Sequence, residues 1–158
     1  MGVMDARTLA RLARVNIGTF NVWAHRGFLP GLDTGVRGRP RNITPSVAVK
    51  VLIFAELVAF GFSPTDAFVM TSKMQDAFIK EGFLIIPRAR PGEAGVGTKG
   101  VAGAIIHERD PARIARATAR LPPIFLVINV SELAQQIHAA EAQWLESRGT
   151  SVLRPAAL

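Results

Sequence analysis

The chain contains no cysteine, which excludes disulfides, thiolate metal sites and thiol-based sensing of mercury or redox state. Histidine is scarce as well. His25, His107 and His138 lie far apart, and none has the i, i+4 partner of a helical zinc site. No Gly-x-Ser-x-Gly elbow presents a nucleophilic serine, and nothing in the spacing pairs the carboxylates, Glu108 and Asp110 included. These absences point away from an enzyme and away from any cofactor or metal. Met1 to Arg7 lacks the apolar run of a secretory signal, and Gly2 lacks the Ser or Thr four residues later that favours myristoylation. The longest apolar run, Val47 to Phe62, is interrupted by Lys50 and Glu56 and falls short of the roughly 20 residues that span a bilayer. The expectation is a cytoplasmic protein without a membrane segment, in which this run is a buried helix.

What the chain does contain is apolar bulk and positive charge. Its 158 residues, 49% of them hydrophobic, suffice for one ordinary domain or two small ones. A formal net charge of +7 and a pI near 11.2 favour a polyanionic partner, with nucleic acid first among them.

The N-terminal stretch gives that charge a context. Leu9, Leu12 and Ala13 fall at helical spacing and can form the inner face of a short helix, with Val15 at the turn that follows. Asn16 can cap a second helix, because its short side chain can accept a free N–H of the first turn. In that helix Phe20, Trp23 and Ala24 repeat at three and four residues and point inward together. Gly18, Thr19, Asn21, Val22, His25 and Arg26 are left for the outer face. A short second helix with such a face can enter a major groove, where Asn pairs with adenine, Arg with guanine, and Val or Thr touches a thymine methyl. An ordinary helical hairpin with a solvated face is the competing explanation.

Downstream, Gly31, Gly35 and Gly38 permit tight turns between Pro30 and Ile43, beside a cluster of arginines. Arg37-Gly38-Arg39-Pro40, followed by Arg41, resembles the AT-hook core. In such a segment glycine lets the backbone approach a narrow A·T-rich minor groove, proline holds an extended path, and the arginines meet the negative potential. From about Ala6 to Ala67 the chain resembles the MerR-like winged-helix DNA-binding domain. The resemblance rests on helix, turn, a helix ending in Gly27-Phe28-Leu29-Pro30, a wing, then Ile43-Thr44-Pro45-Ser46 opening a third helix and Gly61-Phe62-Ser63-Pro64-Thr65-Asp66-Ala67 leading into a fourth. It implies double-stranded DNA as partner. Val22 and Trp23 stand where members of that family usually carry tyrosines, and the wing has Arg-Gly-Arg-Pro-Arg in place of a Gly-Tyr-Arg run. Activation by promoter untwisting is therefore not part of the expectation.

The third helix, capped by Thr44 or Ser46 and ended by Gly61, is apolar nearly all round, so cover is expected on both sides. The fourth runs from Pro64, capped by Ser63, to about Glu81, with Ala67, Phe68, Met70, Met74 and Phe78 inward and Gly82 as its stop. At Phe83 the texture changes. A strand at Phe83–Ile86, a loop from Pro87 to Gly100, a strand from Val101 to His107, a helix from Asp110-Pro111 to about Leu121, an apolar strand from Ile124 to Val130 suited to the centre of a sheet, and a helix from Ser131 to about Ser147 complete the order. Leu133, Ile137, Ala140, Trp144 and Leu145 make one face of that last helix apolar, to be covered by docking or dimerisation. Gly95-Val96-Gly97-Thr98-Lys99-Gly100 matches G-x-G-x-x-G, but a strand follows it where a dinucleotide site needs a helix, and no acidic residue lies about twenty positions on. It reads as a hairpin loop, whose Arg88, Arg90 and Lys99 can instead touch DNA phosphates.

The fold class expected is α+β: a winged helix-turn-helix with two further helices over residues 1–82, a small mixed β-sheet with two helices over 83–148, and a tail over 149–158. The function expected is that of a sequence-specific DNA-binding transcriptional regulator, a homodimeric repressor acting by occlusion. Two alternatives remain open: an excisionase-like or architectural factor that bends DNA, and an antitoxin-like module whose C-terminal half binds a protein partner while its basic half autoregulates.

Overall fold

The computed structural model of the protein describes residues 4–32, 43–74, 82–87, 106–108, 110–119 and 125–149. They form helices α1 (Ala6–Leu12), α2 (Ile17–His25), α3 (Pro45–Ala59), α4 (Pro64–Ser72), α5 (Pro111–Thr118) and α6 (Val130–Gly149), with strands β1 (Phe83–Pro87), β2 (Ile106–Glu108) and β3 (Phe125–Asn129). The architecture is α+β and mostly helical.

Local chemistry fixes the helix starts. Asp5, Asn16, Thr44 and Ser63 each accept the N–H three residues on, so one orphan donor of α1, α2, α3 and α4 is satisfied at every start. Of the two residues able to cap α3, Thr44 does so, at 3.3 Å from the Val47 N–H. Pro45 and Pro64 occupy first-turn positions, where a missing N–H costs nothing. The ends are equally regular. α1, α2 and α3 all close in the Schellman arrangement, with Val15 N–H donating to Ala10 O, Phe28 N–H to Trp23 O and Phe62 N–H to Leu57 O. The left-handed residue that this arrangement requires is Gly27 (φ 72°) after α2 and Gly61 (φ 103°) after α3, but Arg14 (φ 55°) after α1.

α3 is the hub. Ala48, Val49, Val51, Leu52, Ile53, Phe54, Ala55 and Leu57 are all buried on it, so its near-continuous apolar surface is covered from several sides. α1, α4 and α6 pack against it, and Trp23 of α2 meets Phe54 edge-on, ring centroids 5.1 Å apart. A single core cluster runs from Met4 through α3 to Leu84, Ile86, Ile128, Ile137 and Ala140. The cover of α6 is therefore intramolecular over Leu133, Ile137 and Ala140, whereas Leu145 remains 51% exposed.

The sheet differs from the expected mixed arrangement. Its order is β2-β1-β3, and β1 pairs antiparallel with both neighbours. α5 does join two strands of like direction, but β1 lies between them, so no parallel ladder forms among the described residues. Nor is β3 the central strand. Leu84, Ile85 and Ile86 of β1 are buried on both faces of the sheet, whereas Val127 of β3 is 41% exposed.

Several boundaries also move. α4 stops at Ser72, not near Glu81; Thr71 Oγ1 donates back to Ala67 O at 2.7 Å and Ser72 Oγ to Val69 O at 3.2 Å, side-chain bonds that compete with helix continuation. Residues 75–81, Phe78 among them, lie outside the described residues. α5 ends at Thr118, short of Leu121, and β2 reaches Glu108. α6 begins at Val130, with Asn129 Oδ1 accepting the Glu132 N–H at 3.1 Å. Ser131, expected as the cap, does other work: its Oγ accepts the Gly82 N–H at 2.8 Å, and the Gly82 carbonyl accepts the Val130 N–H at 2.9 Å. This reciprocal pair ties the entry of β1 to the start of α6.

Candidate nucleic-acid interface

α2 is held from beneath and open above. Phe20 and Ala24 are buried, Trp23 is half-buried against Phe54, and the Asn16 cap accepts the Thr19 N–H at 2.8 Å. At about 100° per residue the opposite side carries Gly18, Val22 and His25 along its middle, with Thr19, Asn21 and Arg26 flanking them. All six are exposed, as the periodicity predicts. Val22 is 49% and Ile17 40% exposed, so branched apolar side chains stand in water on this helix.

Some of these residues have local roles too. A Cβ at Gly18 would sit 3.1 Å from the Asn16 capping oxygen, so glycine there protects the cap as well as leaving the surface low. His25 is the last helical residue and Arg26 the C-cap, where the guanidinium's positive charge suits the helix dipole. His138, by contrast, is a surface residue 4.0 Å from Glu141, and His107 is paired with Leu84 across the sheet. Among the described residues no group of His, Asp or Glu could hold a metal ion.

Beyond α2 the chain turns back onto the hub. Leu29 and Leu32 are buried, and Gly31 (φ 70°) lies so close to α3 that a Cβ there would stand 3.0 Å from Val47 Cγ2. Ile43 is buried on the return and bridges Met4. Arg37, Gly38, Arg39, Pro40 and Arg41 lie outside the described residues, as does the 95–100 glycine motif with Arg88, Arg90 and Lys99. Leu32 and Ile43, on either side of residues 33–42, are both buried.

The charge is concentrated at this end. Up to Ile43 the chain has seven arginines (7, 11, 14, 26, 37, 39 and 41) against two aspartates (5 and 33), so +5 of the formal +7 falls there. Arg7, Arg11 and Arg14, not singled out by the reading of α2 and the wing, are exposed on α1 and its turn. Their spacing, in antiphase to Leu9, was the signal available in the sequence. Among the described residues no helix is long and apolar enough to cross a membrane. No protein-family model matches the chain, and no curated protein matches it as a relative.

Proposed function

We propose that the protein is a sequence-specific DNA-binding transcriptional regulator built on a winged helix-turn-helix of the MerR-like type, with α2 as the recognition helix. The observation that carries this reading is the outer face of α2. A nine-residue helix is fastened to the core by Phe20, Trp23 and Ala24, while its free side offers an amide (Asn21), a hydroxyl (Thr19), a branched apolar group (Val22) and a guanidinium (Arg26). These are the groups that read base edges in a major groove: Asn for adenine, Arg for guanine, methyl-bearing side chains for thymine. Ile17 adds a second exposed branched apolar group to the same helix.

The arginines of 37–41 are the wing in this reading. In it they grip the minor groove or the phosphates flanking the site of α2. Binding as a homodimer to an inverted repeat, and repression by occlusion, complete the proposal. The test is at single base positions. Asn21→Ala should cost about 1–3 kcal/mol at one base position and relax preference there alone; an unchanged preference removes Asn21 from the reading helix. Arg39→Ala should weaken binding chiefly on A·T-flanked sites, and equal loss on G·C-flanked sites would mean a phosphate contact instead.

A further inference from the structure

Arg7, Arg11 and Arg14 follow at intervals of four and three residues, and Arg7 and Arg11 stand one turn apart on the side of α1 opposite Leu9. All three are exposed, and none makes an ion pair or side-chain hydrogen bond among the described residues. The nearby acid is turned to the backbone: Asp5 Oδ1 accepts the Thr8 N–H at 2.7 Å as the cap of α1. Like charges one turn apart oppose helix formation. Arg14 adds a backbone penalty, holding φ 55° in a closing motif that α2 and α3 complete with Gly27 and Gly61. A row of side chains that repel one another, one of them on a strained backbone, is what a site for an external anion looks like before the anion arrives.

We infer that this arginine row is a phosphodiester-binding site, gripping the DNA backbone beside the groove that α2 enters. It rests on the DNA-binding reading above. Guanidinium groups fit phosphate oxygens bidentately and carry charge at every physiological pH. The row ends at Arg14, two residues before the Asn16 cap, so it is continuous with the start of the recognition helix. α1 thereby sets the position of α2 along the duplex without reading sequence.

The experiment is the salt dependence of binding to a duplex chosen by site selection, followed by fluorescence anisotropy from about 0.05 to about 0.2 M KCl, for the wild type and for R7Q/R11Q/R14G. Each phosphate contact contributes about 0.9 to the slope of log K against log salt, so the triple variant should be shallower by about 2.7 and lose about 40-fold less affinity across that range. R7Q/R11Q, which leaves the turn untouched, should be shallower by about 1.8. Slopes parallel to that of a tightly binding wild type would overturn the arginine row and leave the recognition helix standing. A wild type that binds no duplex would overturn both.

Discussion

Replacing Arg14 by glycine should make the protein more stable and a poorer DNA binder at once. A left-handed conformation costs an L-residue about 1–2 kcal/mol, and glycine escapes that cost while losing about 0.5–1 kcal/mol of extra chain entropy on folding. The net gain expected is about 0.5–1 kcal/mol, or a rise in Tm of roughly 1–4 °C for a chain of this size. Urea unfolding followed by far-UV circular dichroism measures it as a higher midpoint at constant m value. Arg14→Ala is the control that isolates the backbone: it removes the same charge but keeps a Cβ at φ 55°, so it should not share the gain. The converse substitutions complete the argument. Gly27→Ala and Gly61→Ala have open space for the new Cβ, so any loss there, about 1–2 kcal/mol, is conformational and not steric. If Arg14→Gly is no more stable than Arg14→Ala, strain at this turn is not the reason for either result.

Three further outcomes follow from the packing. Trp23→Ala should destabilise by about 2–4 kcal/mol, because the ring is half-buried and meets Phe54 edge-on, and Trp23→Phe should recover a large part of it; chemical denaturation of both variants decides, and equal losses would remove the edge contact as a cause. Ser131→Ala should cost about 1–3 kcal/mol by leaving the part-buried Gly82 N–H without its acceptor, with hydrogen exchange at Gly82 rising sharply; unchanged exchange would mean another group satisfies it. Thr71→Val should be nearly neutral or stabilising, since among the described residues Thr71 Oγ1 bonds only to Ala67 O and Phe68 O of its own helix. A loss beyond about 2 kcal/mol would show that these bonds hold α4 together instead of ending it.

The helical half was legible because each of its signals is local. Asn16, Thr44 and Ser63 announce helix starts within three residues, Gly27 and Gly61 announce ends, and the spacing of Phe20, Trp23 and Ala24 assigns a face. The apolar run of α3 predicted burial but not its cover, because whether a helix such as α6 or a second copy supplies it depends on contacts between elements far apart in the chain, α3 (Pro45–Ala59) and α6 (Val130–Gly149). The sheet was less legible. Strand, helix, strand suggests a parallel pair by habit, and only the long-range register shows β1 between β2 and β3. Ser131 and Asn129 are both good caps by type; the choice was made by Gly82, 49 residues from Ser131, claiming the serine. Arg14 was hidden for a different reason, since nothing in an arginine's chemistry advertises a left-handed backbone.

The central claim is that this chain selects a DNA sequence, and selection of bound sites from random duplex DNA, repeated at two salt concentrations, tests it most directly. The account predicts an inverted repeat whose half-sites lie one helical turn or a multiple of it apart, with A·T-rich flanks, recovered at both salts. Salt-sensitive binding with no enriched motif would contradict it, leaving a basic surface that holds DNA without reading it.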